Sequence, residues 1–90
     1  MSKRWDLPWQ DDPLPLVEHF HERQLTCTEI RLSSKPQARH WHVSQPGETG
    51  TLEVTWDPKA LEFWISMRSN RSGTWIEDNA EEIVERVTAI

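Results

Sequence analysis

The sequence contains a single cysteine, no tyrosine and no long hydrophobic run. With Cys27 alone, neither an intramolecular disulfide nor a cysteine-based zinc site can form, which favours a reducing compartment. No stretch approaches the roughly 18 apolar residues of a membrane-spanning helix. The basic start at Lys3 and Arg4 is followed by no apolar segment, so we expect no signal peptide and a cytoplasmic location.

Positive charge is also scarce, with 10 lysines and arginines against 15 acidic residues and a net charge of −5. This surplus of negative charge disfavours attraction to phosphate backbones and to anionic lipid, so we expect neither duplex nucleic acid nor a membrane as partner. A basic or apolar partner protein is favoured instead. Domains usually contain about 100–150 residues. A chain of 90 residues therefore has room for one domain.

The sequence is rich in tryptophan, with six in 90 residues. Each tryptophan side chain can bury about 150–250 Å², which helps so short a chain to build a core. Trp5 and Trp9 lie within residues 1–12, where proline and charged residues interrupt any regular period. We interpret residues 1–12 as an irregular aromatic arm and residues 13–90 as a single α+β domain.

Two helices are predicted, one near each end of this domain. Pro13 and Pro15 favour a short helix over residues 13–23, because proline is tolerated in a first helical turn. Thr74 and Glu77 have the spacing of a capping box and mark the start of a second helix. Its hydrophobic residues recur on one stripe at helical spacing, opposite an acidic face: Ile76, Ala80, Ile83, Val84 and Val87.

Four segments between the helices alternate apolar and polar residues, which is typical of half-buried strands. Their short connections favour antiparallel pairing of consecutive strands. We therefore predict a four-stranded antiparallel meander with a short N-terminal helix and a C-terminal amphipathic helix packed on one face. The residues expected on the helix-facing side are Ile30, Leu32, Trp41, Val43, Leu52, Val54, Trp56, Leu61, Phe63, Ile65 and Met67.

Strand alternation places the remaining strand residues on the opposite side of the sheet. They are Cys27, Glu29, Arg31, His40, His42, Glu53, Thr55, Glu62, Trp64 and Arg68. Trp64 is the one large aromatic side chain among them. Either the N-terminal arm or first helix covers it, or a second subunit or another protein does. Single-stranded nucleic acid stacking on Trp64 is a third interpretation, which Glu29, Glu53 and Glu62 disfavour.

The segment from Arg68 to Thr74 offers a second candidate site. Two guanidinium groups, hydroxyls and free N–H groups lie here near the positive end of a helix dipole, on Arg68, Arg71, Ser72, Gly73 and Thr74. Such a loop can bind phosphate, sulfate or a carboxylate. The alternative is an ordinary solvated loop in which Thr74 caps the helix, since no phosphate-binding motif is present.

Metal binding and catalysis have weaker support. His40 and His42 share a strand face and could bind a metal if Cys27, Glu29 or another acidic residue supplied a third ligand. The other two histidines, in the predicted first helix, are about 200° apart around the axis and cannot converge. We interpret all four as ordinary histidines and predict no metal site and no cofactor. Cys27 lacks a recognisable catalytic signature, so no catalytic residue is assigned.

Together these patterns favour a small protein–protein interaction module without enzymatic activity. The residues expected to bind the partner are Trp5, Trp9 and Trp64, in a homodimer or in an adaptor that binds a larger protein. The alternative function is the binding of a small anion or phosphate ligand by the loop over residues 68–74.

Overall fold

A computed structural model describes residues 2–88 of the chain. Met1 of the expected arm and residues 89–90 of the expected domain lie outside them. The elements are β1 (Lys3–Leu7), α1 (Leu14–Glu22), β2 (Thr26–Ile30), β3 (Arg39–Ser44), β4 (Leu52–Asp57), β5 (Glu62–Met67) and α2 (Thr74–Thr88), with a 3-10 turn over Ser69–Arg71. The fold is α+β, with an antiparallel sheet and a C-terminal helix as the sequence predicts.

The sheet has five strands rather than the predicted four, in the spatial order β1-β5-β4-β3-β2. Strands β2 to β5 form the predicted meander, and β1 adds to the free edge of β5, with Trp5 opposite Ile65 and Leu7 opposite Phe63. The prediction of an irregular arm is therefore wrong over residues 3–7. Because Trp5 and Leu7 alternate with charged residues, the segment covers the core with one side while pairing the backbone of β5.

Both helices pack on the same face of the sheet, which we call the inner face. Their buried side chains join those of the strands in one hydrophobic core. The largest fully buried side chains are Phe20, Val43, Leu52, Val54, Ile65, Ile76 and Ile83. No helix among residues 2–88 is both long and apolar enough to cross a membrane. The opposite side of the sheet, the outer face, carries no helix among these elements, and the candidate sites lie mainly there.

Strand β2 has the opposite orientation from the prediction. Leu25 is buried immediately after α1, and strand alternation puts Cys27 and Glu29 on the same inner side as Leu25. Ile30 instead lies opposite His40 on the outer face. The expected sides of Cys27, Glu29 and Ile30 are thus wrong, because the short connection from α1 fixes the phase of the strand.

Two further expected core residues lie elsewhere. Leu61 has φ 55° in the β4–β5 turn and is 64% exposed. That turn is held by Asp57, whose Oδ1 accepts the backbone N–H groups of Lys59 and Ala60 at 3.0 and 3.2 Å. Leu32 follows the end of β2 and lines a pocket on the outer face. The alternating pattern extended past the ends of the actual strands, so it assigned turn residues to the sheet.

Candidate functional site

The pairing of β3 with β4 brings polar side chains together in the middle of the outer face. His42 lies opposite Glu53, and His40 lies opposite Thr55. Facing positions on neighbouring strands have Cβ atoms about 4.5–5.5 Å apart, and diagonal positions are also within reach of long side chains. This register therefore places Glu53 beside both imidazoles. We call His40, His42 and Glu53 the histidine cluster.

The histidine cluster is held by short contacts in a largely buried setting. His40 Nδ1 lies 2.8 Å from Thr55 Oγ1, and His40 Nε2 lies 3.1 Å from Glu53 Oε1. His42 Nε2 is 3.6 Å from the same carboxylate oxygen. His40 and Glu53 are only 6% and 4% exposed, whereas the side chain of His42 is 32% exposed. The cluster is thus closed on the side of His40 and open on the side of His42.

The charge of the cluster depends on His40 and on a neighbouring arginine. Burial lowers the pKa of His40 below its ordinary value of 6.5, against the opposing effect of Glu53. A neutral His40 leaves Arg68 as the cation nearest to the Glu53 carboxylate, with Nε 3.1 Å from Oε2. That contact is within ion-pair distance but does not have hydrogen-bond geometry, so Oε2 is buried without a hydrogen-bond partner.

A pocket of about 310 Å³ opens onto the histidine cluster. Besides His40 and Glu53 it is lined by Leu32, Ser34, Lys35, Thr55, Trp64, Ser66 and Arg68. The segment between β2 and β3 forms one wall, and the outer faces of β4 and β5 form its floor. A small ligand or a side chain of a partner protein can therefore reach both the cluster and Trp64.

Trp64 lies on the outer face as the sequence predicts, and it has cationic neighbours. The guanidinium carbon of Arg4 is 4.1 Å from the ring centroid, and Lys35 Nζ is 5.4 Å from it. Cations at these distances are attracted to the negative face of an indole ring. We call Trp64, Arg4 and Lys35 the Trp64 patch.

The other two tryptophans predicted to bind a partner lie apart from Trp64. Trp5 faces the inner side, opposite Ile65, and packs against the core. Trp9 stacks on Trp56 with ring centroids 5.4 Å apart and an interplanar angle of 13°. The structure therefore uses Trp5 and Trp9 to extend the core, and it does not bring them together with Trp64 on one surface.

Cys27 lies on the opposite face of the sheet from His40 and His42, the two histidines that could act with it. It pairs with Val43 on the inner side, while His40 and His42 point to the outer side. Burial, and next the charge of Glu29, raise the pKa of the Cys27 thiol to about 11. A thiol is a nucleophile only as the thiolate. The arrangement therefore provides no cysteine–histidine pair.

The loop over residues 68–74 does not gather its polar groups into one pocket. Arg68 extends over the outer face toward Glu53, whereas a cavity beside the start of α2 is lined by Ser72, Gly73, Thr74 and the acidic Glu77. A carboxylate there repels anions. Anion binding by Arg68, Arg71, Ser72, Gly73 and Thr74 stays a prediction to which the geometry adds no support.

Another cavity, of about 610 Å³, lies beside the β2–β3 loop. Glu29 and Arg39 form part of its wall and are paired through two hydrogen bonds of 2.8 and 3.0 Å. Because these charges already satisfy each other, the cavity offers less to a ligand than the pocket at the histidine cluster. The outer face of β3, β4 and β5 is the best candidate site.

Comparisons with known proteins give no guide to the function of this site. No protein-family model matches the chain, and neither the curated proteins nor the solved structures searched give a match. The proposals that follow depend on the geometry of the outer face alone.

Proposed function

We propose that the chain is a protein-interaction module that binds an acidic segment of a partner protein through the Trp64 patch. The observation that carries this proposal is the half-buried indole ring of Trp64 on the outer face, which has two cationic side chains beside it. Tryptophan and arginine are enriched among the residues that dominate binding energies at protein interfaces. The nearby pocket provides a recess for one side chain of the partner.

Lys35 favours an acidic partner for the Trp64 patch, although the whole chain is acidic and Arg4 is already paired with carboxylates. Arg4 is shared between Asp6, at 2.9 Å, and Glu62, at 3.7 Å. Among the described residues no carboxylate lies within 4.0 Å of Lys35 Nζ, and Arg68 adds a further cation at the rim of the pocket. The sequence favours a basic partner because the net charge of the whole chain is negative. The proposal here depends instead on the side chains around Trp64.

The same charges disfavour a homodimer through this face. In a two-fold dimer each patch meets its own copy, so that Arg4 and Lys35 would approach the same cations of the second subunit. Like charges brought together in an interface cost free energy and suppress that pairing. A partner that presents carboxylates beside an apolar or aromatic residue fits the patch better.

Binding of a synthetic peptide of alternating glutamate and leucine, labelled with a fluorophore, tests the proposal by fluorescence anisotropy. Loss of a hot-spot residue costs 2 kcal/mol or more, so Trp64→Ala should weaken binding by about 30-fold or more. Trp9→Ala is the matched control, because it removes the same ring from the opposite side of the sheet, and it should leave the affinity unchanged. Added salt should weaken binding of the wild-type chain.

Three results would contradict this function. The first is equal peptide affinity for Trp64→Ala and wild type, in samples whose circular dichroism shows the same fold. The second is equal binding of a lysine–leucine peptide of the same length. The third is a mass near twice 10.6 kDa in light scattering that Trp64→Ala reduces to the monomer, because a second copy would then be the occupant of this face.

A further inference from the structure

We propose that the histidine cluster is a binding site for a first-row divalent transition metal ion, with Zn²⁺ as the preferred ion. One ligand atom from each of His40, His42 and Glu53, a ring nitrogen or a carboxylate oxygen, lies within 4.8 Å of the other two. They come from two neighbouring strands of a rigid sheet, and the cross-strand register holds them on one face. This site uses different side chains from the Trp64 patch, although both border the same pocket.

The separations between the ligand atoms agree with tetrahedral coordination. Zinc lies about 2.0–2.1 Å from histidine nitrogen and about 2.0–2.2 Å from carboxylate oxygen, so two ligands of a tetrahedral ion are about 3.3–3.5 Å apart. The measured separations from Glu53 Oε1 are 3.1 Å to His40 Nε2 and 3.6 Å to His42 Nε2. Both separations from Glu53 are therefore close to those between two ligands of a tetrahedral ion.

A second feature of a metal site is present at His40. Histidine ligands almost always make a hydrogen bond through the ring nitrogen that does not bind the metal, which fixes the tautomer and the ring orientation. His40 Nδ1 has such a partner in Thr55 Oγ1, at 2.8 Å. When Nδ1–H donates to this hydroxyl oxygen, Nε2 is left with a lone pair directed toward the cluster. Thr55 is itself only 3% exposed, so the partner is held in place.

A third observation concerns the charge of Glu53. Burying a carboxylate without adequate compensation is costly, and Glu53 is 96% buried with one oxygen lacking a hydrogen-bond partner. The nearest cation, on Arg68, belongs to a side chain that is 64% exposed and contacts Oε2 without hydrogen-bond geometry. A divalent ion bound between the two histidines and Glu53 would balance the negative charge of the buried carboxylate. The cluster therefore combines a buried, poorly satisfied anion with two neutral-ligand donors.

The ligand types select the class of metal. Imidazole nitrogen suits Zn²⁺, Co²⁺, Ni²⁺ and Cu²⁺, whereas Mg²⁺ and Ca²⁺ prefer six or more oxygen ligands. Three protein ligands leave a fourth position of a tetrahedral ion open. The pocket that His40 and Glu53 line together with Lys35 and Trp64 gives a water molecule or an anionic group access to the cluster.

This proposal is tested by adding ZnSO₄ to the full chain and measuring binding by isothermal titration calorimetry and stability by the melting temperature. Zn²⁺ should release heat with a stoichiometry of one and raise the melting temperature, and Co²⁺ should produce the visible absorption of a tetrahedral site. His42→Ala should weaken binding by at least about tenfold, and Thr55→Val by about 10–100-fold, the usual effect of losing an orienting partner. His21→Ala is the matched control, because His21 is exposed on α1, and it should change neither value.

Arg68→Gln separates a metal site from a purely structural hydrogen-bond network. If the cluster binds Zn²⁺, removing the competing cation from Glu53 should tighten Zn²⁺ binding, since like charges no longer repel across the site. The proposal is overturned if Zn²⁺ gives neither heat nor a thermal shift with the wild-type chain, if His21→Ala lowers affinity as much as His42→Ala, or if Mg²⁺ produces an equal shift. His42→Ala should still fold because the His42 side chain is one-third exposed, so the test does not depend on replacing the buried Glu53.

Discussion

The reactivity of Cys27 tests the orientation of β2, which in turn decides whether a cysteine–histidine pair can exist. The pKa of this thiol is raised from an ordinary value of 9.0 to about 11, first by burial and then by Glu29. At any pH below 9.0 the thiolate population of the folded chain should therefore be about 100-fold smaller than that of the unfolded chain. Alkylation proceeds through the thiolate, so the folded chain should react with iodoacetamide about 100-fold more slowly.

The single cysteine makes the assay unambiguous, because every alkylated molecule reports on Cys27. Rates are measured by mass spectrometry for the folded chain and for the chain in concentrated urea, across a pH series. The folded rate should continue to rise about tenfold per pH unit above 9.0, where the unfolded rate levels off. Glu29→Gln should accelerate the folded reaction, because it removes the second cause of the raised pKa.

A folded rate that levels off at or below pH 9.0 would refute the inner placement of Cys27. An outward, exposed thiol would lose the burial that raises its pKa, so its rate would level off near the ordinary value of 9.0. The pH series also distinguishes a raised thiol pKa from hindered access of the reagent. Hindered access lowers the alkylation rate at every pH but leaves the midpoint of the rate–pH curve unchanged.

Two further predictions concern the stability of the fold. The pKa of His19 is lowered from 6.5, mainly by burial and then by Arg86, so the unfolded state binds the proton more tightly than the folded state. The free energy of unfolding should therefore fall as the pH drops below 6.5. His19→Gln should make this fall smaller in urea melts. A pH dependence unchanged by His19→Gln would contradict the assignment. A Cβ at Gly73 would lie 2.3 Å from the backbone oxygen of Thr49, so Gly73→Ala should lower the free energy of unfolding by about 1–3 kcal/mol in denaturant melts. A decrease below about 0.5 kcal/mol, the usual effect of a surface substitution, would show that the loop moves to accommodate the methyl group.

The parts of the fold that the sequence predicts correctly are those with a strong, long pattern. Strands β4 and β5 alternate clearly, and their predicted core residues Leu52, Val54, Phe63, Ile65 and Met67 are buried on the inner face. The stripe of α2 likewise packs into the core with Ile76, Ala80 and Ile83 buried. In both elements the same apolar spacing repeats several times, so the sequence alone identifies which side of the element is buried.

The two edge strands escape prediction for physical reasons. Strand β1 has five residues and only one of them, Leu7, is buried, so its alternation is too short to stand out from the charges around it. Strand β2 has no fully buried residue, and its phase is set by Leu25, which the end of α1 fixes in the core. Edge strands pair on one side only, and their sequence is correspondingly less constrained.

Two of the three members of the histidine cluster can be recognised from the sequence. The spacing of His40 and His42 shows that they share a strand face, but the third member depends on which residue of another strand lies opposite. That register is set by the loop of residues 45–51, where Gly47 and Gly50 adopt positive φ values of 83° and 99°. The sequence leaves the third ligand as an unspecified acidic neighbour, and the pairing of His42 with Glu53 identifies it among the three acidic residues of β4 and β5.

The two proposed sites share a pocket, and this proximity leads to a final prediction. Lys35 and Trp64 line the same recess as His40 and Glu53, so an ion on the cluster would add positive charge beside the surface that we propose for an acidic partner. Zn²⁺ should then increase the affinity of the wild-type chain for the glutamate–leucine peptide, most simply by offering its open position to a carboxylate. By linkage, the peptide should increase the affinity for Zn²⁺ by the same factor.

Anisotropy with and without Zn²⁺, and calorimetry with and without peptide, measure the two factors separately. Equal factors above one that vanish in His42→Ala would show that metal and partner meet in one site. If both ligands bind and each leaves the affinity of the other unchanged, the carboxylate does not reach the ion, and the Trp64 patch acts from the cationic surface of Arg4 and Lys35 alone. Since the factors must agree for any true equilibrium, unequal values would indicate that the peptide removes Zn²⁺ from solution instead of binding beside it.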